Sequence, residues 1–152
     1  MFCRTPKVTQ VPLQREYPFM YENFLIATQS EAYLILDKSG DVTYAIRFES
    51  ADCKYGAPND EALGGHPLAK YGLGSYRLFE VSDSPWIHDL MVANRVHPSH
   101  KDEMFADRKH YIATFKDVTV EVVCRSMSEV ALSAADFAAI VTKQLLLLED
   151  QS

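Results

Sequence analysis

The sequence predicts an α+β domain: an antiparallel sheet of roughly five strands with two helices, the second of them amphipathic and C-terminal. Three observations carry this. Val42, Tyr44, Ile46 and Phe48 alternate with Thr43, Ala45, Arg47 and Glu49, the period of a strand with one buried face. Tyr111, Ala113 and Phe115 repeat that pattern, and after the Lys116-Asp117 turn so do Val118, Val120, Val122 and Cys124. Helix-start signals then occur twice, at Ser84-Pro85 and at Ser133 with Asp136. Hairpins with helices on one face of a sheet satisfy this pattern, and it leaves open whether the sheet curls towards a barrel.

All 152 residues read as one domain. Residues 1–23 carry Pro6, Pro12 and Pro18 among Tyr17, Phe19 and Tyr21, which disfavours helix and central strand and predicts an extended arm. The core occupies residues 30–125. Its first hairpin pairs Ala32–Leu36 with Val42–Phe48 across a turn in which Gly40 can take a positive φ. Ser75–Val81 reads as a third strand. Ser84 caps a helix with Pro85 in its first turn, and Trp86, Ile87, Leu90 and Met91 form its inward stripe. That helix must end near Val96, because Pro98 drives His97 out of the helical region. The C-terminal helical segment, 129–150, has its start at Ser133, with Asp136 near the positive end of the dipole and Leu132 placed to staple onto Phe137. Leu145–Leu148 make its last turn apolar all round, so one flank faces the sheet and the other predicts a homodimer contact.

A net charge of −6 without a basic cluster argues against nucleic acid. The longest apolar run is far too short to span a bilayer, and no secretory signal is apparent. Cys3, Cys53 and Cys124 are widely spaced with no C-x-x-C, which predicts reduced thiols and a cytoplasmic setting. There is no G-x-S-x-G, P-loop, dinucleotide fingerprint or H-E-x-x-H. Known catalytic signatures therefore supply no reaction.

What sets the chain apart is Gly56-Ala-Pro-Asn-Asp-Glu-Ala-Leu-Gly-Gly-His-Pro-Leu68, a loop dense in turn-formers and polar side chains. Loops on a rigid scaffold are where binding groups concentrate. His66 is held extended by Pro67, and the glycines permit close approach of a ligand. Asp60 and Glu61 offer carboxylates and Asn59 an amide, although Asn59 and Asp60 could equally bond the backbone of a wide turn. His97 and His100 are spaced three apart, but Pro98 denies them the helical pitch that aligns metal-binding pairs. His100 and His88 read as solvated. His110 shares a strand face with Ile112 and Thr114, and Glu121 lies opposite the apolar face of its own strand, costly there unless paired. Cys124 reads as an inert buried thiol. If His66, His97 and His110 meet, three neutral imidazoles could hold zinc, or one could act as general base with Asp60 or Glu61 assisting.

The segments Pro58-Asn-Asp-Glu-Ala-Leu-Gly-Gly-His-Pro-Leu68, Ser84-Pro-Trp-Ile87, Asn94-Arg-Val-His-Pro98 and His110-Tyr-Ile-Ala-Thr-Phe, with Glu121 and Cys124 beyond, resemble a family of small bacterial proteins with no established activity. The resemblance covers about residues 30–125, and Lys116 stands where similar chains often carry histidine. It implies grouping Asn59, Asp60, Glu61, His66, Trp86, Asn94, His97, His110 and Glu121 as one ligand-binding site.

Three functional readings follow. The first is a binding domain with a polar pocket for a small molecule or peptide and no cofactor. The second is a small histidine-dependent hydrolase or isomerase, with zinc as an option. The third is an interaction protein acting through the C-terminal helix.

Overall fold

A computed structural model describes residues 4–151. The fold is α+β with antiparallel pairing, as the alternation predicts, but the described residues form nine strands in two sheets. In chain order the strands are β1 (Lys7–Gln10), β2 (Phe24–Ala27), β3 (Glu31–Ser39), β4 (Val42–Glu49), β5 (Asp52–Gly56), β6 (Leu78–Ser82), β7 (Lys109–Thr114), β8 (Thr119–Cys124) and β9 (Ser126–Leu132). The helices are α1 (Pro85–Asn94) and α2 (Ala134–Glu149). One sheet has the order β1-β6-β7-β8-β5 and the other β2-β3-β4-β9.

The two sheets pack face to face. Leu34, Leu36, Ile46 and Phe48 from one meet Leu78, Ala113, Val120, Val122 and Cys124 from the other, with Phe115 between them. Buried side chains of this size each contribute about 1.5–3 kcal/mol relative to exposure. At one corner β4 runs into β5 and β8 into β9, so a single ladder passes from Glu49↔Ser126 in one sheet to Asp52↔Val123 in the other. Arg125 N–H donates to the Glu49 carbonyl at 2.9 Å across that corner, and Ser50 takes a left-handed φ of 54° there.

Both outer faces are covered. Tyr33, Ile35 and Ala45 lie beneath Phe137 and Ile140 of α2. Ser133 caps α2 as expected, and Asp136 returns a bond to the Ser133 N–H, closing a capping box. The helix starts later than residue 129, however, because 126–132 are needed as the edge strand β9. The opposite outer face, on the five-stranded sheet, carries Phe79, Val81 and Ile112 and is roofed by Leu63, Leu68 and Leu73 of the long loop. β8 is thus covered on both faces, which sets the conditions for Glu121.

The proline-rich arm is more ordered than its composition suggests. Its residues 7–10 pair with β6 as an edge strand, where a row of unmet ladder bonds was available. Met1–Cys3 lie outside the described residues. The α1 stripe packs against β7, with Trp86, Ile87, Leu90 and Met91 half-buried. Leu145, Leu146, Leu147 and Leu148 are 49–62 % exposed, so neither flank of that turn is covered by the sheet. Among the described residues no helix is long and apolar enough to cross a membrane.

Candidate functional site

The loop after β5 folds back over the sheet, and its own short-range chemistry explains how. Asn59 caps a six-residue 3-10 turn over Asp60–Gly65, its Oδ1 accepting from the Ala62 N–H at 3.0 Å. Two bonds fasten the loop's entry to the β7–β8 hairpin. Asp60 N–H donates to the Lys116 carbonyl at 2.8 Å, and Thr119 Oγ1 donates to the Pro58 carbonyl at 2.8 Å. Leu63 and Leu68 then drop onto Phe79, Val81 and Ile112. Between them His66 is extended (φ −66°, ψ 137°), as a residue preceding proline should be. Gly64 and Gly65 have negative-φ or extended backbone, and a Cβ on either would meet nothing within 4 Å. They serve openness at the surface rather than close approach.

His66 reaches the sheet at Glu121. Its Nε2 lies 2.9 Å from Glu121 Oε2, while His110 Nε2 lies 2.9 Å from Oε1 of the same carboxylate. The other ring nitrogens fix the protons. His66 Nδ1 accepts the Leu68 N–H at 3.0 Å, so the ring proton sits on Nε2 and is donated to Glu121. Ser84 Oγ accepts the Ile87 N–H at 3.2 Å as the cap of α1 and lies 2.7 Å from His110 Nδ1, to which its hydroxyl proton can be donated. An ionised carboxylate can only accept, so His110 also donates from Nε2. With the Ser84 hydroxyl proton assigned to His110 Nδ1, both imidazoles are neutral and the cluster keeps one negative charge.

The carboxylate is 16 % exposed, with His66 at 7 % and His110 at 2 %. Burial pushes the Glu121 carboxyl up, but hydrogen bonds from His110 and His66 outweigh it and hold it at about 2. Pairing thus removes the cost that an isolated carboxylate would carry on this face.

Above the cluster opens a cleft of about 600 Å³, with Pro58, Pro67, Leu68, Pro85 and Trp86 in its walls and His66, His110 and Glu121 at its floor. Trp86 meets the His110 ring edge-on, centroids 5.3 Å apart at 82°. Lys54 stands directly opposite Glu121 in the β5–β8 register, and its Nζ lies 4.1 Å over the Trp86 ring. Asp89 is on the rim. A larger hollow of about 740 Å³ lies across the molecule, between Tyr21, Phe24 and Phe137. Of its acidic residues Glu22, Asp37 and Asp41, Asp37 is paired with Arg15 at 3.1 Å. It lacks the convergent buried polar groups that mark a small-molecule site.

Four of the nine grouped residues meet here: His66, Trp86, His110 and Glu121. The other five do not line the cleft. Asn59 is the turn cap already described, so the wide-turn reading holds for it, whereas among the described residues the Asp60 carboxylate accepts from the Tyr76 side-chain hydroxyl and not from the backbone. Glu61 is exposed, too far out on the turn to assist a base at the floor. His97 is exposed, its Nδ1 accepting from the Ser99 N–H at 3.0 Å, because Pro98 turns the chain outward. Asn94 instead bonds His100 Nδ1 at 2.8 Å, and His100 Nε2 lies 2.6 Å from Asp102. His100 is consequently 10 % exposed rather than solvated. Asp102 is held at about 2 by Arg95 first and by His100 second, a staple that ties the end of α1 to the turn at Asp102–Phe105. His88 is half-buried.

Lys54 and Asp89 are cleft residues absent from the sequence analysis, and Ser84 entered it without a role at the site. Ser84 was visible only as a helix cap, and Lys54 sits in a strand too short to show alternation. Among the described residues no three His, Cys, Asp or Glu are arranged to hold a metal ion. His66, His110 and Glu121 close on one another instead. Burial pushes the Cys53 thiol up to about 11 and Cys124 to about 12, so neither is poised as a nucleophile.

The chain matches no protein-family model, no curated protein and no solved structure. The site's own chemistry carries the functional reading.

Proposed function

We propose that this chain is a small-molecule binding domain whose ligand occupies the cleft over Glu121 and sets a hydrogen-bond donor or a positive charge against that carboxylate. The observation that carries this is a carboxylate at the floor of an apolar-walled cleft with two lone-pair positions spent on His66 and His110 and the rest open. What weighs against acid–base catalysis is occupancy. Each imidazole nitrogen already has a partner, and a carboxyl held at about 2 is a weak base near neutral pH. The imidazoles latch the loop to the sheet, and the latch shapes the cleft.

Trp86 is the chain's single tryptophan, so its emission reports on the cleft alone. A screen of a metabolite library should yield a compound that shifts that emission saturably and whose amide chemical-shift changes centre on residues 64–68 and 84–89. Binders that perturb only other surfaces would overturn the reading.

We also propose a homodimer through α2. Support comes from the exposed Val141 and Leu145–Leu148. The free thiols Cys53 and Cys124 support a reducing, cytoplasmic setting.

A further inference from the structure

The charge pattern of the cleft selects a ligand class, given the binding reading above. With the Ser84 hydroxyl proton assigned to His110 Nδ1, Glu121 accepts from two neutral imidazoles, so its charge is hydrogen-bonded but not neutralised. The natural counter-ion is Lys54, directly opposite in the register. Yet among the described residues Glu121 pairs with His66 and His110 only, and the Lys54 ammonium sits on the indole face of Trp86, 4.1 Å from its centroid. Asp89 adds a second carboxylate at the rim. An aromatic face and an uncompensated carboxylate in one cleft are the two groups that hold an organic cation. The cation now on that face belongs to an exposed side chain on an edge strand, free to swing away.

We infer that the cleft takes a ligand with a compact organic cation, an alkyl- or methylated ammonium group, and that Lys54 occupies its place on Trp86 until it arrives. The ligand's ammonium would stack on the indole and face Glu121, while Lys54 moves into solvent. Lys54 is then a competitor of the ligand, not a contact for it.

The test uses Trp86 emission of the full chain, titrated with tetramethylammonium chloride, tert-butanol or sodium acetate at constant ionic strength. The three probes present the same small bulk as cation, neutral group and anion. Tetramethylammonium should bind best, and Lys54→Met should tighten it about fivefold, the equivalent of one solvent-facing ammonium–indole contact removed from competition. Lys54 is exposed, so the variant should fold as the parent does. Equal responses to tetramethylammonium and tert-butanol would overturn the assignment. So would acetate binding that Lys54→Met abolishes, an outcome that leaves the cleft a binding site for anions. Silence from all three probes also overturns the cation, and the cleft itself falls only if the library screen is silent too.

Discussion

Replacing Glu121 by glutamine preserves volume and shape but removes the charge and one of the two acceptors. His66 cannot adapt, because the Leu68 N–H occupies its Nδ1 and keeps the proton on Nε2. The glutamine carbonyl must therefore serve His66, and its amide N–H₂ then faces the Nε2–H of His110. His110 can move its proton to Nδ1 only by donating to Ser84 Oγ, which accepts from Ile87 as well and then loses His110 as the acceptor of its own hydroxyl proton. Losing charge-assisted bonds and burying one unmet donor should cost about 3 kcal/mol. The acid–base balance gives a similar figure: holding the carboxyl at about 2 rather than 4.5 corresponds to about 3 kcal/mol. The folded value is the depressed one, so this stability is fully present above about pH 4.5 and is lost as pH falls towards about 2. Urea unfolding of both proteins, followed by circular dichroism from neutral pH downward, should show a gap of about 3 kcal/mol that narrows through that window. A gap below about 1 kcal/mol at neutral pH would refute the claim that Glu121 anchors the cluster. A gap that persists undiminished to the acid end would refute the charge as its cause.

Other perturbations separate the groups that the fold brings together from those it does not. His66→Ala removes the bond to Glu121 and frees the loop, so it should cost about 2–3 kcal/mol and speed proteolysis at Gly64-Gly65. His97→Ala should stay within about 0.5 kcal/mol under the same urea assay; a comparable loss in both would mean His97 belongs to the site after all. Ser133→Ala breaks a capping box whose two bonds are each 3.0 Å long, and should lower stability by about 1 kcal/mol, with Ser133→Gly milder. Deleting residues 144–152 should give a monomer by light scattering, and an unchanged solution mass would remove α2 from the interface.

The long elements were readable because each has a period or a stop signal of its own. Val42–Phe48 and Val118–Cys124 alternate over enough residues to declare a buried face, and Ser84 and Ser133 mark helix starts by side chains that must bond the backbone locally. β1, β2, β5 and β9 show no such period, because each is an edge strand of its sheet, with one ladder side and much of its surface left to solvent. Missing β9 also lengthened the predicted helix backwards to residue 129, and missing β5 hid Lys54.

The sequence alone determined the α+β class, the two hairpins, the helix starts and the loop as the place where polar groups gather. It also required Glu121 to be paired if anything covered its face of β8. Which partners it would find was decided only in three dimensions. The covering layer is the loop itself, drawn down by Leu63 and Leu68 onto Phe79, Val81 and Ile112, and its descent lands His66 on the carboxylate 55 residues away. Pro98 meanwhile sends His97 outward, and Asn94 goes to His100. Local chemistry fixes which way a side chain leaves the backbone. Only packing of one element over another fixes what waits for it there, because that depends on apolar contacts between residues far apart in the chain.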